Sequence, residues 1–212
     1  MKTILCLRHP WFIALACILL TGCLFKRTTD STRHFVLTPI PANDPPPVEA
    51  ATQHLSVEIA FVRMPSQLLR DSVVVRNGEN EIEYLENALW ADRLDHSFER
   101  TLAVNLSRLL SSDGIYLADW GRGKATAKVC VNVQQFEVDT GGKGTLIAQW
   151  RITVPENEQP LKSGLTRLAR TGDSPSGKPE VIATTLSELE ADFSRELAES
   201  IRESAERLAR VN

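Results

Sequence analysis

Apolar positions along this chain alternate between two periods, and each change of period marks an element. Leu55, Val57, Ile59 and Phe61 alternate with Ser56, Glu58 and Ala60, which predicts a strand with one buried face, ended by Pro65. Val73-Val74-Val75-Arg76 is a second β-branched run, and Asn77-Gly78 leads from it towards Ile82-Glu83-Tyr84 with the turn chemistry of a hairpin. From Leu94 the spacing lengthens. Leu94, Phe98, Leu102, Leu106 and Leu109/Leu110 recur every three to four residues, predicting an amphipathic helix with Gly114 as its C-cap. Ala125, Ala127, Val129, Val131 and Val133 return to alternation, then the phase slips to Phe136 and Val138, as one inserted residue near Gln134-Gln135 would cause. Residues 139–144 are turn chemistry, and Leu146, Ala148, Trp150, Ile152 and Val154 form the return strand of a long antiparallel hairpin.

One more strand is expected over residues 165–171, after a loop at Pro160. Thr185 and Glu188 stand at capping-box spacing ahead of Leu186, Leu189, Phe193, Leu197, Ile201 and Leu208, so a second long amphipathic helix is expected from there to about Arg210. Near the start, residues 34–38 read as a short strand, and residues 41–53, with Pro45-Pro46-Pro47, read as an extended surface connection. Two long amphipathic helices and about six strands in this order predict an α/β fold, a three-layer sandwich with a mixed, largely antiparallel sheet. Phe98 and Phe193 are expected in its core, and Arg108 on its surface.

The beginning of the chain follows a different rule. Lys2 and Arg8 precede ten unbroken apolar residues from Trp11 to Leu20, and then come Thr21, Gly22 and Cys23. That is the charge, apolar run and small-residue site of a secretory signal, and about 20 apolar residues would be needed to span a bilayer. The Leu-Thr-Gly-Cys ending resembles a bacterial lipoprotein box, which implies cleavage before Cys23, lipidation of Cys23 and acylation of the new amino terminus. Several acyl chains make such attachment stable. Leu24 stands where an Asp would suggest retention at the inner membrane, so the resemblance to sorted lipoproteins implies the outer membrane. The expected organisation is a signal peptide over 1–22, a lipidated tether over 23–33 and one domain over 34–212.

Losing Lys2 and Arg8 with the signal takes the formal charge from −3 to −5, which offers no overall attraction to nucleic acid or to an anionic membrane. Cys6 and Cys17 leave as well, so Cys130 is the one thiol free to react and no intramolecular disulfide is expected. His34, His54 and His96 fall in three different elements without metal-ligand spacing. Gly142-Lys143-Gly144-Thr145 departs from a phosphate loop, because Glu137 and Gly144 occupy the positions of its first Gly and its Ser/Thr. Asp92, Arg93, Asp95 and Glu99 cluster at a helix start, where acids complement the helix dipole. No catalytic residue, cofactor or metal site is assigned.

The order of motifs carries more. Val57 to Pro65 ends in Arg63-Met64-Pro65; then come Leu69-Arg70-Asp71, the strand Val73 to Arg76, Tyr84, Trp90-Ala91-Asp92-Arg93-Leu94 and the helix from Phe98 to Leu110. This order resembles the ABC-type transport auxiliary lipoproteins, the PqiC-like subunits of membrane-integrity transport systems, over roughly residues 34–208. The resemblance implies a three-layer α/β domain tethered to the outer membrane that works by protein contact with a lipid transport system. Its implied partner is a mammalian-cell-entry-type periplasmic subunit, with self-association left open. Arg63, Pro65, Trp90 and Asp92 match the family pattern, which gives them no catalytic role. A stand-alone envelope-assembly lipoprotein without a transporter is the competing reading.

Overall fold

A computed structural model describes residues 31–42, 55–118 and 125–211, with side chains through 207. Cys23, the tether up to residue 30, most of the proline-bearing connection, His54 and the side chain of Leu208 lie outside the described residues. Residues Thr32–Asn212 make one compact unit.

The strands are β1 (Arg33–Phe35), β2 (Val57–Arg63), β3 (Ser72–Arg76), β4 (Ile82–Trp90), β5 (Ile115–Leu117), β6 (Ala127–Asp139), β7 (Lys143–Thr153) and β8 (Pro160–Thr171). The helices are α1 (Leu94–Leu110) and α2 (Pro179–Val211), and a short 3₁₀ turn spans Ser66–Leu69. All eight strands join one mixed, open sheet with β6 as its spine. One edge of β6 takes β7 antiparallel along ten registered pairs, and β7 takes β8 the same way. The other edge is shared: β2 runs parallel beside Ala127 to Asn132, and β3 runs parallel beside Val138 and Asp139. From there the sheet forks, through β2 to β5 and through β3 and β4 to β1. The β6 register shifts between Val133 and Gln135, where the sequence phase slips, and this turns Phe136 and Val138 back to the buried side.

Both helices pack on that side and on each other. Phe98 of α1 meets Phe136 of β6 edge-on at 5.2 Å between ring centres and Phe193 of α2 at 6.0 Å. All three rings are within 1% of full burial, so this trio fastens helix to helix and helix to sheet. Two glycines allow the close approach. A Cβ on Gly144 would lie 2.5 Å from Thr185 of α2, and one on Gly164 would lie 2.5 Å from the Trp150 indole.

Four local expectations change. The helix α1 ends on Ser111, which takes the left-handed conformation at φ 48°. Gly114 is needed for a different reason: a Cβ there would stand 2.6 Å from the Leu55 carbonyl oxygen. The helix α2 starts at Pro179, a favoured first-turn position, because Ile182 and Ala183 extend its buried stripe backwards. Thr185 is therefore a buried mid-helix residue and caps nothing. Pro160 opens β8, an edge strand whose outer side needs no donor, so the proline is accommodated inside the strand.

The last change is at β1, which leaves the sheet after Phe35 and lays residues 36–41 across the helix pair. The Thr38 N–H donates to Ser187 Oγ of α2 at 3.0 Å, and the Ile40 N–H donates to Asn105 Oδ1 of α1 at 2.8 Å. Arg108 donates to the Ile40 carbonyl, so it is a part-buried clamp on this strap and not a free surface charge.

Candidate interaction surface

The residues singled out by sequence serve the framework. Trp90 is buried and its backbone N–H donates to the Asp71 carbonyl at 2.7 Å, while Pro65 stands directly before the 3₁₀ turn. Asp92 pairs with Arg100 at 2.6 Å, and that hydrogen bond, with one from the Arg93 N–H, holds its carboxyl below the usual range. Arg93 pairs with Asp95, and Glu99 accepts the Val62 N–H at 2.8 Å, tying the start of α1 to β2. The acidic cluster is thus used up in structural bonds. Gly142, with φ 89°, turns the β6–β7 hairpin. His34 and His96 are exposed in separate elements, and no metal-ligating group of three forms among the described residues.

Sequence gave no hint of the polar seam between the helices. Asn105 is fully buried; its amide donates to Ser194 Oγ at 3.1 Å while its oxygen holds the strap. One turn earlier on α2, Glu190 is fully buried, and neither carboxyl oxygen has a hydrogen-bond partner among the described residues. Burial pushes its carboxyl well above the ordinary carboxylate range. Beside the strap a cleft of about 720 Å³ opens between it and α2, with Phe35, Pro39 and Ala191 among its walls.

No helix among the described residues packs on the other side of the sheet. On it, Arg63 of β2, Asn132 of β6 and Gln149 of β7 stand in one registered row, and Phe61, Cys130 and Arg151 stand in the next. The Arg63 guanidinium lies over the Phe61 ring at 4.5 Å. These two rows line a shallow groove of about 350 Å³, which adjoins a smaller one of about 180 Å³ lined by Lys128, Glu58 and Glu158. Arg167 of β8 faces the same way as its registered neighbour Ile147. Sequence reading passed over Asn132, Gln149, Arg151 and Arg167, whose only mark is that they fill the polar half of each alternation, where solvated residues are the ordinary finding. What the exposed polar groups of the larger groove can do chemically is donate: guanidinium and carboxamide groups converge there. Cys130 is buried.

The family described as ABC-type transport auxiliary lipoprotein component matches residues 35–198, which includes every strand from β2 to β8, all of α1 and most of α2. A solved structure of a protein from Xanthomonas campestris, assigned to family DUF330, superposes with a TM-score of 0.71 at 14% identity, covering 84% of this chain and 99% of that one. A second solved structure, of an uncharacterised protein, superposes with a TM-score of 0.63 at 22% identity over 81% of this chain and 99% of that one. At these identities the likeness establishes the fold. No curated protein matches the chain.

Proposed function

The chain belongs to the ABC-type transport auxiliary lipoprotein components, and we propose that it is an accessory tethered to the outer membrane through Cys23 that acts by contact with a mammalian-cell-entry-type periplasmic subunit of a lipid transport system. The observation that carries this reading is the family match across residues 35–198. An auxiliary component of a transport system has partners, and its family is not an enzyme class. The acids at the start of α1 support work by contact, since Asp92 and Glu99 are engaged in the framework.

Membrane association in this reading comes from lipid. No helix among the described residues is long and apolar enough to cross a membrane. Lipid on Cys23, after removal of residues 1–22, supplies the anchor. Because β1 pairs with β4 from Arg33, the free tether is short. Nine residues fully extended reach about 30 Å at about 3.3 Å each, so the domain stays near the bilayer, where a subunit arriving from the other side of the periplasm can dock.

Deletion of the gene should weaken the envelope barrier to detergents and lipophilic compounds as deletion of the transporter does, with no added defect in the double deletion. Cross-linking should join the domain to a mammalian-cell-entry-type subunit, and a Cys23→Ser chain should leave the membrane fraction. An additive defect without that cross-link would favour a stand-alone assembly lipoprotein.

A further inference from the structure

Arginines of the helix layer and of the strand edge packed on it are held by carboxylates or carbonyls: Arg93 holds Asp95, Arg100 holds Asp92, Arg170 holds Asp192 and Glu188, and Arg202 holds Glu199 and the Leu109 carbonyl. On the open side, Arg76 is paired with Glu137, whereas Arg63, Lys128, Arg151 and Arg167 make no ion pair with any described residue. In a chain of net charge −3, with eight Asp and Glu residues on α2 alone, this is a local reversal of sign. Net charge therefore conceals an acidic helix α2 and, around Arg63 and Arg151 on the open side, a local group of unpaired cations bordered by Glu58 and Glu158, and fields of this kind steer and orient partners.

We propose that this open face is a docking groove for an acidic, extended segment of a partner protein, with Arg63 and Arg151 taking its Asp or Glu carboxylates over a floor of Asn132 and Gln149. Neighbouring strands lie about 4.8 Å apart and same-face residues about 6.8 Å apart along a strand, so the α-carbons of Arg63 and Arg151 are separated by roughly 12 Å, the span of a few residues of extended chain. Arg63 is pre-positioned. Its guanidinium rests on the Phe61 ring, which fixes the planar fork beside the groove, and such a fork matches a carboxylate through two parallel bonds. Asn132 and Gln149 are exposed and contribute carboxamides that can bond the segment's backbone from either direction. Glu58 and Glu158 line only the smaller adjoining groove, which shares Arg151 with this one, so the segment's acidic residues are placed from Arg151 towards Arg63 and not beyond Arg151.

The spacing of Arg63 and Arg151 across the groove matches a single extended segment. The exposed Leu165, 39% accessible and registered beside Gln149, adds an apolar contact that a lipid headgroup would not use. This inference deepens the contact reading above and rests on it, yet the two fail separately: the genetic test concerns the transporter, and the binding test concerns the groove.

The test uses the full lipidated chain in detergent, a fluorescently labelled octaglutamate, the matching octalysine, inorganic phosphate and phosphatidylglycerol vesicles. Octaglutamate should bind, the affinity should fall with added salt, and the pair Arg63→Glu with Arg151→Glu should weaken it tenfold or more while Arg195→Glu on α2 leaves it unchanged. Unchanged thermal melting shows that the pair variant folds, and Arg63→Gln with Arg151→Gln replaces it if it does not. Absence of octaglutamate binding, binding that ignores these substitutions, or arginine-dependent binding of vesicles or phosphate without the peptide would overturn the proposal.

Discussion

β6 and β7 present two faces built from the same strands, and the two obey opposite rules. Towards the helices they show Val129, Val131, Phe136, Leu146 and Ile152, none more than 1% exposed. Away from the helices they show Lys128, Asn132, Gln149 and Arg151, three of which are exposed. The first face derives its free energy from removing apolar area from water, at about 25 cal/mol per Å², and its shape is fixed by close packing. The second contributes little to folding and keeps its donors free. The contrast separates the part of the molecule that makes the fold from the part available to meet a partner, and it implies that substitutions on the two faces should fall into two classes of effect.

Phe98→Ala should have the largest effect, destabilising by about 3 to 5 kcal/mol, because the ring is fully buried and touches both Phe136 and Phe193. Phe193→Ala should approach it. Chemical denaturation of the two variants measures this, and a cost under about 1 kcal/mol for both would remove the aromatic trio from the centre of the fold.

Asn105→Ala should come next, at about 1 to 3 kcal/mol, since it strands the Ile40 N–H in a buried seam and removes the bond that Ser194 Oγ accepts. Hydrogen exchange should then rise at Ile40 and Thr38 before the sheet is affected. Exchange that rises everywhere together would mean that the strap and the core open as one unit.

Glu190→Gln should change the pH dependence of stability more than stability itself. A carboxyl whose folded pKa is raised binds its proton more tightly in the folded chain, so the wild type is favoured at low pH and loses stability as pH rises from the ordinary value of 4.5 towards the folded pKa. Glutamine carries no proton to lose. The variant should therefore gain on the wild type as pH increases to 7, and melting curves that keep a constant difference from pH 4 to 7 would show that burial does not raise the Glu190 pKa.

Arg151→Ala should have the smallest effect on folding, within about 0.5 kcal/mol, because its side chain is exposed and makes no described ion pair. The same substitution should lower octaglutamate affinity, which sharpens the comparison: one face tolerates change for folding and not for binding. A melting temperature lowered as far as that of Asn105→Ala would erase the distinction between the faces.

Most of the fold was written in period and phase. The α/β class, α1 to the residue at its start, the β6–β7 hairpin and even its bulge at Gln134-Gln135 follow from where apolar residues recur, because an alternating or three-to-four spacing has only one way to bury its apolar side. Ends were less legible. Thr185 and Glu188 have the spacing of a cap, but burial of Ile182 and Ala183 outweighs that local preference and moves the helix start to Pro179. Gly114 has the composition of a cap, yet it answers to the Leu55 carbonyl, a neighbour 59 positions earlier in the chain.

The sequence by itself determined that residues 57–110 carry the motif order of a transport auxiliary lipoprotein, that the described elements alternate as they do, and that no local cluster has the spacing of an active site. Only the tertiary structure decided which charges find partners. Arg93 and Asp95 are two residues apart, but Arg170 meets Asp192, the Ile40 N–H meets Asn105 and Arg63 comes into one row with Asn132 and Gln149 only when strands and helices from distant parts of the chain are brought to their registers. An ion pair or a cationic groove is a property of separation in space, and pattern along a chain fixes which face a side chain takes without fixing what stands across from it.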